Sequence, residues 1–262
     1  MPSLPIVYST HALHPHATAM LDGIAAIRVA SALDAETFVR ESRDASALVI
    51  RVSVPAEIFD DAPLLKLAAR HGAGLDMVPM EAATRAGVLV SNVPGANART
   101  VAEYIFFAAM ALLRRFRPID HDLRADGWLA GRVHTVHGNE LAGRTLGIVG
   151  MGNIGRTAAS IATAGFNLDV IATSRNRQSL PEGVGWRTLE ELIAESDIVA
   201  ICCPLTAETR GMIDADRIAR MKPDAILINV ARGAIINDDA LLTALHENRI
   251  GGAALDVFDT PP

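Results

Sequence analysis

Along residues 1–96, short apolar runs alternate with stretches whose apolar positions recur at helical spacing. Ile6–Tyr8, Ile27–Val29, Ala47–Ile50, Leu65–Ala68 and Val88–Val90 predict strands, and Ala35–Arg40, Ala56–Asp60 and Pro79–Ala86 predict helices. Strands separated by helices imply parallel βαβ units and a sheet covered on both faces. A long helix is predicted from Asn97 to about Arg115, where Val101, Ile105, Ala108, Ala109 and Leu112 form an apolar stripe. Pro94-Gly95 punctuates the chain just before it, which places a domain boundary after residue 96. Residues 118–143 are polar, carry Trp128 with several histidines and arginines, and read as a helix plus an arm.

A second α/β stretch begins at Thr145. Its predicted strands are Leu146–Val149, Val170–Ala172, Ile198–Ile201, Ile226–Asn229 and Ala253–Val257. The helices between them are Ile154–Ala164, Leu189–Ala194, Ala215–Met221 and Asp238–Leu245. The pattern predicts two parallel-sheet domains, 1–96 and 97–262.

Ligands of open parallel sheets sit beyond the carboxyl ends of the strands. In the second domain the first strand runs into Gly150-Met151-Gly152-Asn153-Ile154-Gly155 and then a helix. Strand, glycine turn and helix together are the context in which G-x-G-x-x-G signals a dinucleotide site. Gly150 permits the tight turn, Gly152 lets backbone approach a pyrophosphate, and Gly155 lets helix and strand pack closely. The helix start offers free N–H groups and a positive dipole end to the phosphates. In the first domain two loops stand at strand ends: Arg51-Val52-Ser53 and His71-Gly72-Ala73-Gly74. The second is either a plain turn or a nest whose N–H groups hold a carboxylate.

Composition narrows the classes. Half of the 262 residues are apolar, so a substantial core is expected. A net charge of −6 without a basic tract argues against a nucleic-acid surface. Cys202 and Cys203 are adjacent in an apolar run and suit buried thiols in a reducing compartment. The start shows no secretory signal and Tyr104–Leu113 is too short to span a bilayer, so a cytoplasmic protein is expected. No metal site is expected from His11, His14 and His16 or from His134 and His137, which lack carboxylate or thiol ligands beside them. Glu190, Glu191 and Glu195 read as a solvated helix face.

In an NAD site an acidic residue about 20 positions past the glycine turn accepts the ribose 2′-OH, whereas an Arg there accommodates a 2′-phosphate. Here the second strand leads into Thr173-Ser174-Arg175-Asn176-Arg177, with Ser174 at that place. Arg175 and Arg177 suit a phosphate, and the reading favours NADP over NAD.

Together these segments resemble the D-isomer-specific 2-hydroxyacid dehydrogenases, a family that includes glyoxylate/hydroxypyruvate reductases and phosphoglycerate dehydrogenases. The likeness covers almost the whole chain. It is carried by Arg70–Asp76, by Asn92–Asn97 leading to Val101-Ala102-Glu103-Tyr104, by the glycine turn, by Cys203–Gly211, by Ile228–Gly233 and by Ala254–Phe258.

The resemblance implies a flavodoxin-like substrate domain hinged to a Rossmann coenzyme domain, with the reaction in the cleft between them. It implies that Arg232 binds the 2-oxo acid, polarising its carbonyl and pairing with its carboxylate. Gly72, Ala73 and Gly74 would help hold that carboxylate, with Arg51 and Ser53 nearby. Asp256 and the Ala231 carbonyl would hold the nicotinamide carboxamide. Val101, Asn153, Ile154, Cys203, Pro204, Thr206, Thr209 and Val230 complete the implied cofactor groove, with Asn97–Val101 flanking the cleft. A homodimer joined through the coenzyme domains, with residues 118–143 as its arm, is implied as well.

The always-charged Arg232 stabilises a developing alkoxide but cannot give the proton that completes reduction. In the family that proton comes from a histidine in a Pro-His segment well past the Asp-Val-Phe run, held by an intervening Glu. The sequence reaches Pro262 before any such histidine, and the expectation is that the histidine, the last strand of the sheet and a returning helix lie further on. Pro261 stands at the place of that Glu, with Asp259 as a stand-in. A histidine without its Glu is expected to have a lower pKa, so that reduction weakens at a lower pH. His71 is a weaker candidate for the acid.

The expected function is therefore NAD(P)H-dependent reduction of a small 2-oxo acid, glyoxylate or hydroxypyruvate first. Phosphoglycerate dehydrogenase is the runner-up; it would call for more basic residues than Arg51, Arg70 and His71. A cofactor-sensing corepressor on the same fold is the reading from another class.

Overall fold

The computed structural model describes residues 4–260. The chain divides into two compact units, Met1–Ala96 and Asn97–Pro262.

The first unit contains β1 (Ile6–Ser9), α1 (Pro15–Met20), β2 (Ala26–Val29), α2 (Ala35–Ser42), β3 (Ala47–Ile50), α3 (Glu57–Asp60), β4 (Leu67–Arg70), α4 (Met80–Arg85) and β5 (Leu89–Ser91). All its strand pairs are parallel, in the order β2-β1-β3-β4-β5, a flavodoxin-like order. The core lies on both faces of the sheet and includes Tyr8, Phe38, Leu48, Ile50, Ile58 and Phe59. Each such side chain contributes about 1.5–3 kcal/mol by leaving water. Asp34 caps α2 by accepting the Thr37 N–H at 2.8 Å.

Two predictions need correction here. The fourth strand is Leu67–Arg70 and not Leu65–Ala68, because Leu65 closes a turn onto Ala62 and is buried there as a loop anchor. The sequence reading had no helix at α1, which buries none of its residues and so leaves no periodic signal. Local chemistry makes it: Pro15 starts the helix and the His14 ring accepts the His16 N–H at 3.2 Å.

The second unit begins with three helices, α5 (Ala98–Leu113), α6 (Phe116–Asp126) and α7 (Trp128–Arg132). Then follow β6 (Thr145–Val149), α8 (Asn153–Phe166), β7 (Asp169–Thr173), β8 (Gly185–Trp186), α9 (Leu189–Glu195), β9 (Ile198–Ile201), α10 (Ala215–Ala219), β10 (Ile226–Asn229), α11 (Asp238–His246) and β11 (Gly252–Leu255). Among the described residues the strands form one parallel sheet, ordered β11-β10-β9-β6-β7-β8. Counted from β6, this is the 3-2-1-4-5-6 order of dinucleotide-binding sheets. The order reverses between β6 and β9, whose residues are almost all buried.

One face of this sheet packs under α5 and α8, the other under α9, α10 and α11. The buried stripe of α5 is broader than predicted. Ala98, Ala102, Phe106 and Leu113 join Ile105, Ala108 and Ala109, while Val101 and Leu112 are half-buried at its margin.

The acidic residues of α9 are not merely solvated. Thr188 and Glu191 form a reciprocal capping box, Glu190 meets Arg217 at 3.0 Å and Glu195 meets Arg187 at 2.8 Å. In the arm, Asp122 bridges His134 at 2.6 Å and His121 at 2.8 Å, while Trp128, Leu129, Val133 and Val136 are exposed. No helix among the described residues is long and apolar enough to cross a membrane.

Candidate active site

In the second unit the predicted residues gather at the carboxyl edge of the sheet. Gly150 has φ +102° and donates its N–H to the Thr173 carbonyl at 3.0 Å, which ties the glycine turn to the end of β7. A Cβ at Gly150 would lie 2.7 Å from the Cys203 backbone, so the turn lies directly against the segment after β9. A Cβ at Gly155 would overlap the Gly150 carbonyl, so α8 approaches β6 only because Gly155 has no side chain. Gly152 differs: nothing lies within 4 Å of its Cβ position. It is the N-cap of the 14-residue α8 and offers no side-chain cap, which leaves the amides of the first turn without a side-chain acceptor.

Cys202 and Cys203 lie in the cores on opposite faces of the sheet. Burial pushes the Cys202 thiol up to about 12 and that of Cys203 up to about 11. Beyond them, Thr209 shapes the loop. Its hydroxyl donates to the Pro204 carbonyl at 2.8 Å and accepts the Thr206 N–H at 2.8 Å. The Thr206 hydroxyl donates to Glu208 at 2.6 Å. That bond, with a weaker pull from Arg175, holds the Glu208 carboxyl below its ordinary value.

The end of β10 is built around Asn229, which is fully buried. Its Oδ1 accepts the Ala231 N–H at 3.0 Å and its Nδ2 donates to the Arg232 carbonyl at 2.9 Å, folding Val230-Ala231-Arg232 into a fixed turn. Arg232 is half-buried and extended, with its Nη1 donating to the Ala231 carbonyl at 2.6 Å. Gly233 admits the chain beyond β11: a Cβ there would overlap the backbone of Phe258 and Asp259. The Asp256 N–H donates to the Asn229 carbonyl at 3.0 Å, so Asp256 and Arg232 emerge from one hydrogen-bonded corner. The charge of Asp256 also reaches Tyr104, whose phenol is raised first by burial and then by that carboxylate. Asp259 is exposed, and Pro261 lies outside the described residues.

Of the two arginines proposed for a 2′-phosphate, Arg175 makes no hydrogen bond or ion pair among the described residues; it is exposed next to Ser174, and its charge reaches Glu208. Arg177 instead lies on the Trp186 ring, 3.4 Å from its centroid.

In the first unit the His71–Gly74 loop has an organiser that the sequence reading did not single out. Arg70 lays its guanidinium inside the turn, donating to the Gly74 carbonyl at 3.1 Å, the His71 carbonyl at 2.6 Å and the Ile50 carbonyl at 3.1 Å. The Ala73 carbonyl accepts from Asn92 at 2.7 Å and the Gly72 carbonyl from the Val93 N–H at 3.0 Å. With the carbonyls occupied, the loop turns amides outward. The nest is smaller than expected, because the Gly72 N–H returns to the Arg70 carbonyl at 2.8 Å. Among the described residues the N–H groups of Ala73 and Gly74 have no acceptor. Arg51 and Ser53 are exposed at the end of β3, where the Arg51 N–H donates to Thr10 at 3.0 Å. No group of three or more His, Cys, Asp or Glu among the described residues is arranged to hold a metal ion.

A doubly wound sheet with a glycine turn at its switch point defines a dinucleotide-binding domain. Comparison with known proteins gives the family. Residues 106–262 match the model of the D-isomer specific 2-hydroxyacid dehydrogenase NAD binding domain. The glyoxylate reductase of Pyrococcus furiosus is 39% identical over 236 residues, 87% of this chain and 70% of that protein. The D-3-phosphoglycerate dehydrogenase of Mycobacterium tuberculosis is 34% identical over 265 residues, 99% of this chain and 49% of that one. Among solved structures, the NADPH-dependent glyoxylate/hydroxypyruvate reductase of Sinorhizobium meliloti in complex with NADP and malonate superposes with a TM-score of 0.86. It is 28% identical and covers 99% of this chain and 81% of that chain. The chain belongs to the D-isomer specific 2-hydroxyacid dehydrogenase family, whose members use a nicotinamide cofactor.

Proposed function

We propose that this protein reduces a small 2-oxo acid, glyoxylate or hydroxypyruvate, to its D-2-hydroxy acid with NADPH as hydride donor. The observation that supports it most is the corner at the end of β10, where buried Asn229 fixes the backbone of Arg232 and, through its own carbonyl, accepts the Asp256 N–H.

The residues fit a dinucleotide: Gly152 leaves open space, Gly150 makes the turn, and the uncapped start of α8 presents N–H groups to a pyrophosphate. When bound, the cofactor would supply the hydride, and the proton that completes the alcohol would come from water or from an acid other than Arg232. The chain supplies binding and charge. Arg232 pairs with the substrate carboxylate and lowers the cost of negative charge at the carbonyl oxygen. The Ala73 and Gly74 amides hold a carboxylate, and Arg51 and Ser53 line the same loop edge. Asp256 and the Ala231 carbonyl accept from a carboxamide. Val101, Cys203, Pro204, Thr206, Thr209 and Val230 shape the groove. Ser174, with no carboxylate in its place, and the exposed Arg175 favour a 2′-phosphate.

The phosphoglycerate dehydrogenase likeness keeps a second substrate in view. Arg70 is spent on its own loop, which leaves only Arg51 and His71 for an extra phosphate and favours the smaller acids. The exposed apolar residues of the arm support a homodimer, and the protein is proposed to work in the cytoplasm.

The test is to mix the full-length protein with NADPH and glyoxylate, hydroxypyruvate or phosphohydroxypyruvate and follow the loss of reduced-nicotinamide absorbance. Turnover of the two smaller acids supports the assignment. Cofactor binding without turnover of any of the three refutes it in favour of a sensing role.

A further inference from the structure

Trp186 stands at the carboxyl end of β8, and its backbone pairs with Ala172 of β7 in parallel register. Its half-buried indole does two things at once. The ring face carries the guanidinium of Arg177, 3.4 Å from the ring centroid, and the ring N–H reaches the Ser174 carbonyl at 3.4 Å. Ser174 and Arg177 are the two ends of the loop that leaves β7, so one side chain fixes both ends. Asn176 caps the short turn at Arg177–Ser179 by accepting the Gln178 N–H at 3.2 Å, and just past Trp186 the Arg187 N–H returns to the Ala172 carbonyl at 2.9 Å.

Arg175 is the residue left projecting. Glu191 acts on Arg177 electrostatically without an ion pair between them, and the contact that holds the guanidinium is the aromatic face. A flexible arginine offered to a phosphate loses rotamer freedom when it binds, and a loop that already has one shape avoids part of that cost. Arg177, over the ring at 3.4 Å, sets a second guanidinium on the same loop.

We propose that Trp186 is the positioning residue that sets the preference for the phosphorylated dinucleotide: it stacks Arg177 and anchors Ser174, and so presents Arg175 to a 2′-phosphate. The proposal rests on the NADPH reading above. It places the determinant of cofactor choice one strand away from the residues that meet the cofactor, on a two-residue strand that has no charge of its own.

The experiment measures the affinities of NADPH and NADH by calorimetry on the full-length wild-type protein and on Trp186→Leu, Trp186→Phe and Arg177→Lys. The quantity read is the ratio of the two affinities. Wild type favours NADPH. Trp186→Leu lowers the ratio about tenfold, the scale of losing a stacked cation and an ordered loop. Trp186→Phe keeps a ring face and stays closer to wild type than Trp186→Leu. Arg177→Lys keeps the charge but not the planar stack, and it lowers the ratio too, which serves if Trp186→Leu does not fold. A wild type that favours NADPH with an unchanged ratio in Trp186→Leu and Arg177→Lys overturns the positioning role and leaves the cofactor reading standing. A wild type without preference for NADPH overturns the cofactor reading, and the positioning role with it.

Discussion

The side-chain amide of buried Asn229 donates to the main-chain carbonyl of Arg232 at 2.9 Å, while its oxygen takes the Ala231 N–H at 3.0 Å. The proposed substrate-binding arginine therefore takes its backbone position from an uncharged residue three places earlier. Asn229→Ala leaves a buried N–H and a carbonyl unsatisfied, which costs about 1–3 kcal/mol of stability. The same change frees the turn, and kcat/KM for the oxo acid is expected to fall about 10- to 100-fold. Thermal melting and steady-state kinetics check the two effects; intact kinetics in a destabilised variant would separate Asn229 from the arginine's placement.

The three glycines of the turn predict three different phenotypes. At Gly155 a methyl would strike the Gly150 carbonyl, and Gly155→Ala is expected to destabilise by about 1–3 kcal/mol. At Gly150, a positive φ and a contact with Cys203 at 2.7 Å make alanine unfavourable on both counts. At Gly152 a methyl meets nothing in the protein, so Gly152→Ala melts close to wild type. Its dinucleotide affinity falls about tenfold, because the methyl takes the space the pyrophosphate needs. Calorimetric titration beside a melting curve checks the contrast; unchanged affinity in Gly152→Ala would mean that phosphate does not approach there.

Arg70 holds three carbonyls of its own neighbourhood. Arg70→Met removes charged hydrogen bonds worth about 1.5–3 kcal/mol each, less what water restores, and lets the loop carbonyls turn toward the substrate side. A higher KM for the oxo acid, about tenfold, with a smaller change in kcat is the expected kinetic signature. Equal falls in kcat and kcat/KM would instead place Arg70 in the chemical step.

The arm predicts a pH window. Hydrogen bonds from His121 first, and then His134, hold the Asp122 carboxyl below its ordinary value; the Asp122 bond raises His121, with Asp126 and Asp120 adding to it. The lowered carboxyl contributes above its ordinary pKa and loses its contribution as pH falls through the lowered value. The raised imidazole contributes below its ordinary pKa and loses its contribution as pH rises through the raised one. The bridge is thus strongest between about 4 and 6.5. Protection of the α6 amides from hydrogen exchange, corrected for the intrinsic rise of the rate with pH, should be greatest inside that window, and Asp122→Asn should flatten the dependence. A wild-type profile that is already flat would show the bridge to be idle.

Much of this was legible in the sequence, for identifiable reasons. The bounds of β3, β9 and β10 match those predicted, because each is a short β-rich run inside its sheet, all apolar in β3 and β9 and closed by the buried Asn229 in β10. The glycine turn was legible because its spacing and flanking elements are fixed by sterics. Helix α1 was not, since a helix that buries nothing has no period to read. Strand β8 is two residues long and is defined by its pairing alone. The role of Arg70 was hidden for a different reason: a charged side chain before a glycine pair reads as a ligand, and only the folded loop shows that its partners are its own carbonyls. From its place beside Arg175, Arg177 suits a phosphate, while the ring that claims it lies nine positions on, in a strand the pattern does not show.

The central claim is that the Asn229 corner holds Arg232 where it grips a 2-oxo acid. Its most direct test is the affinity of oxalate for the complex of full-length protein and NADP+, compared between wild type and Arg232→Gln. Removing a charged, bidentate partner should weaken oxalate binding by about 10- to 100-fold and leave NADP+ affinity unchanged. Oxalate bound equally well by both proteins would contradict the assignment.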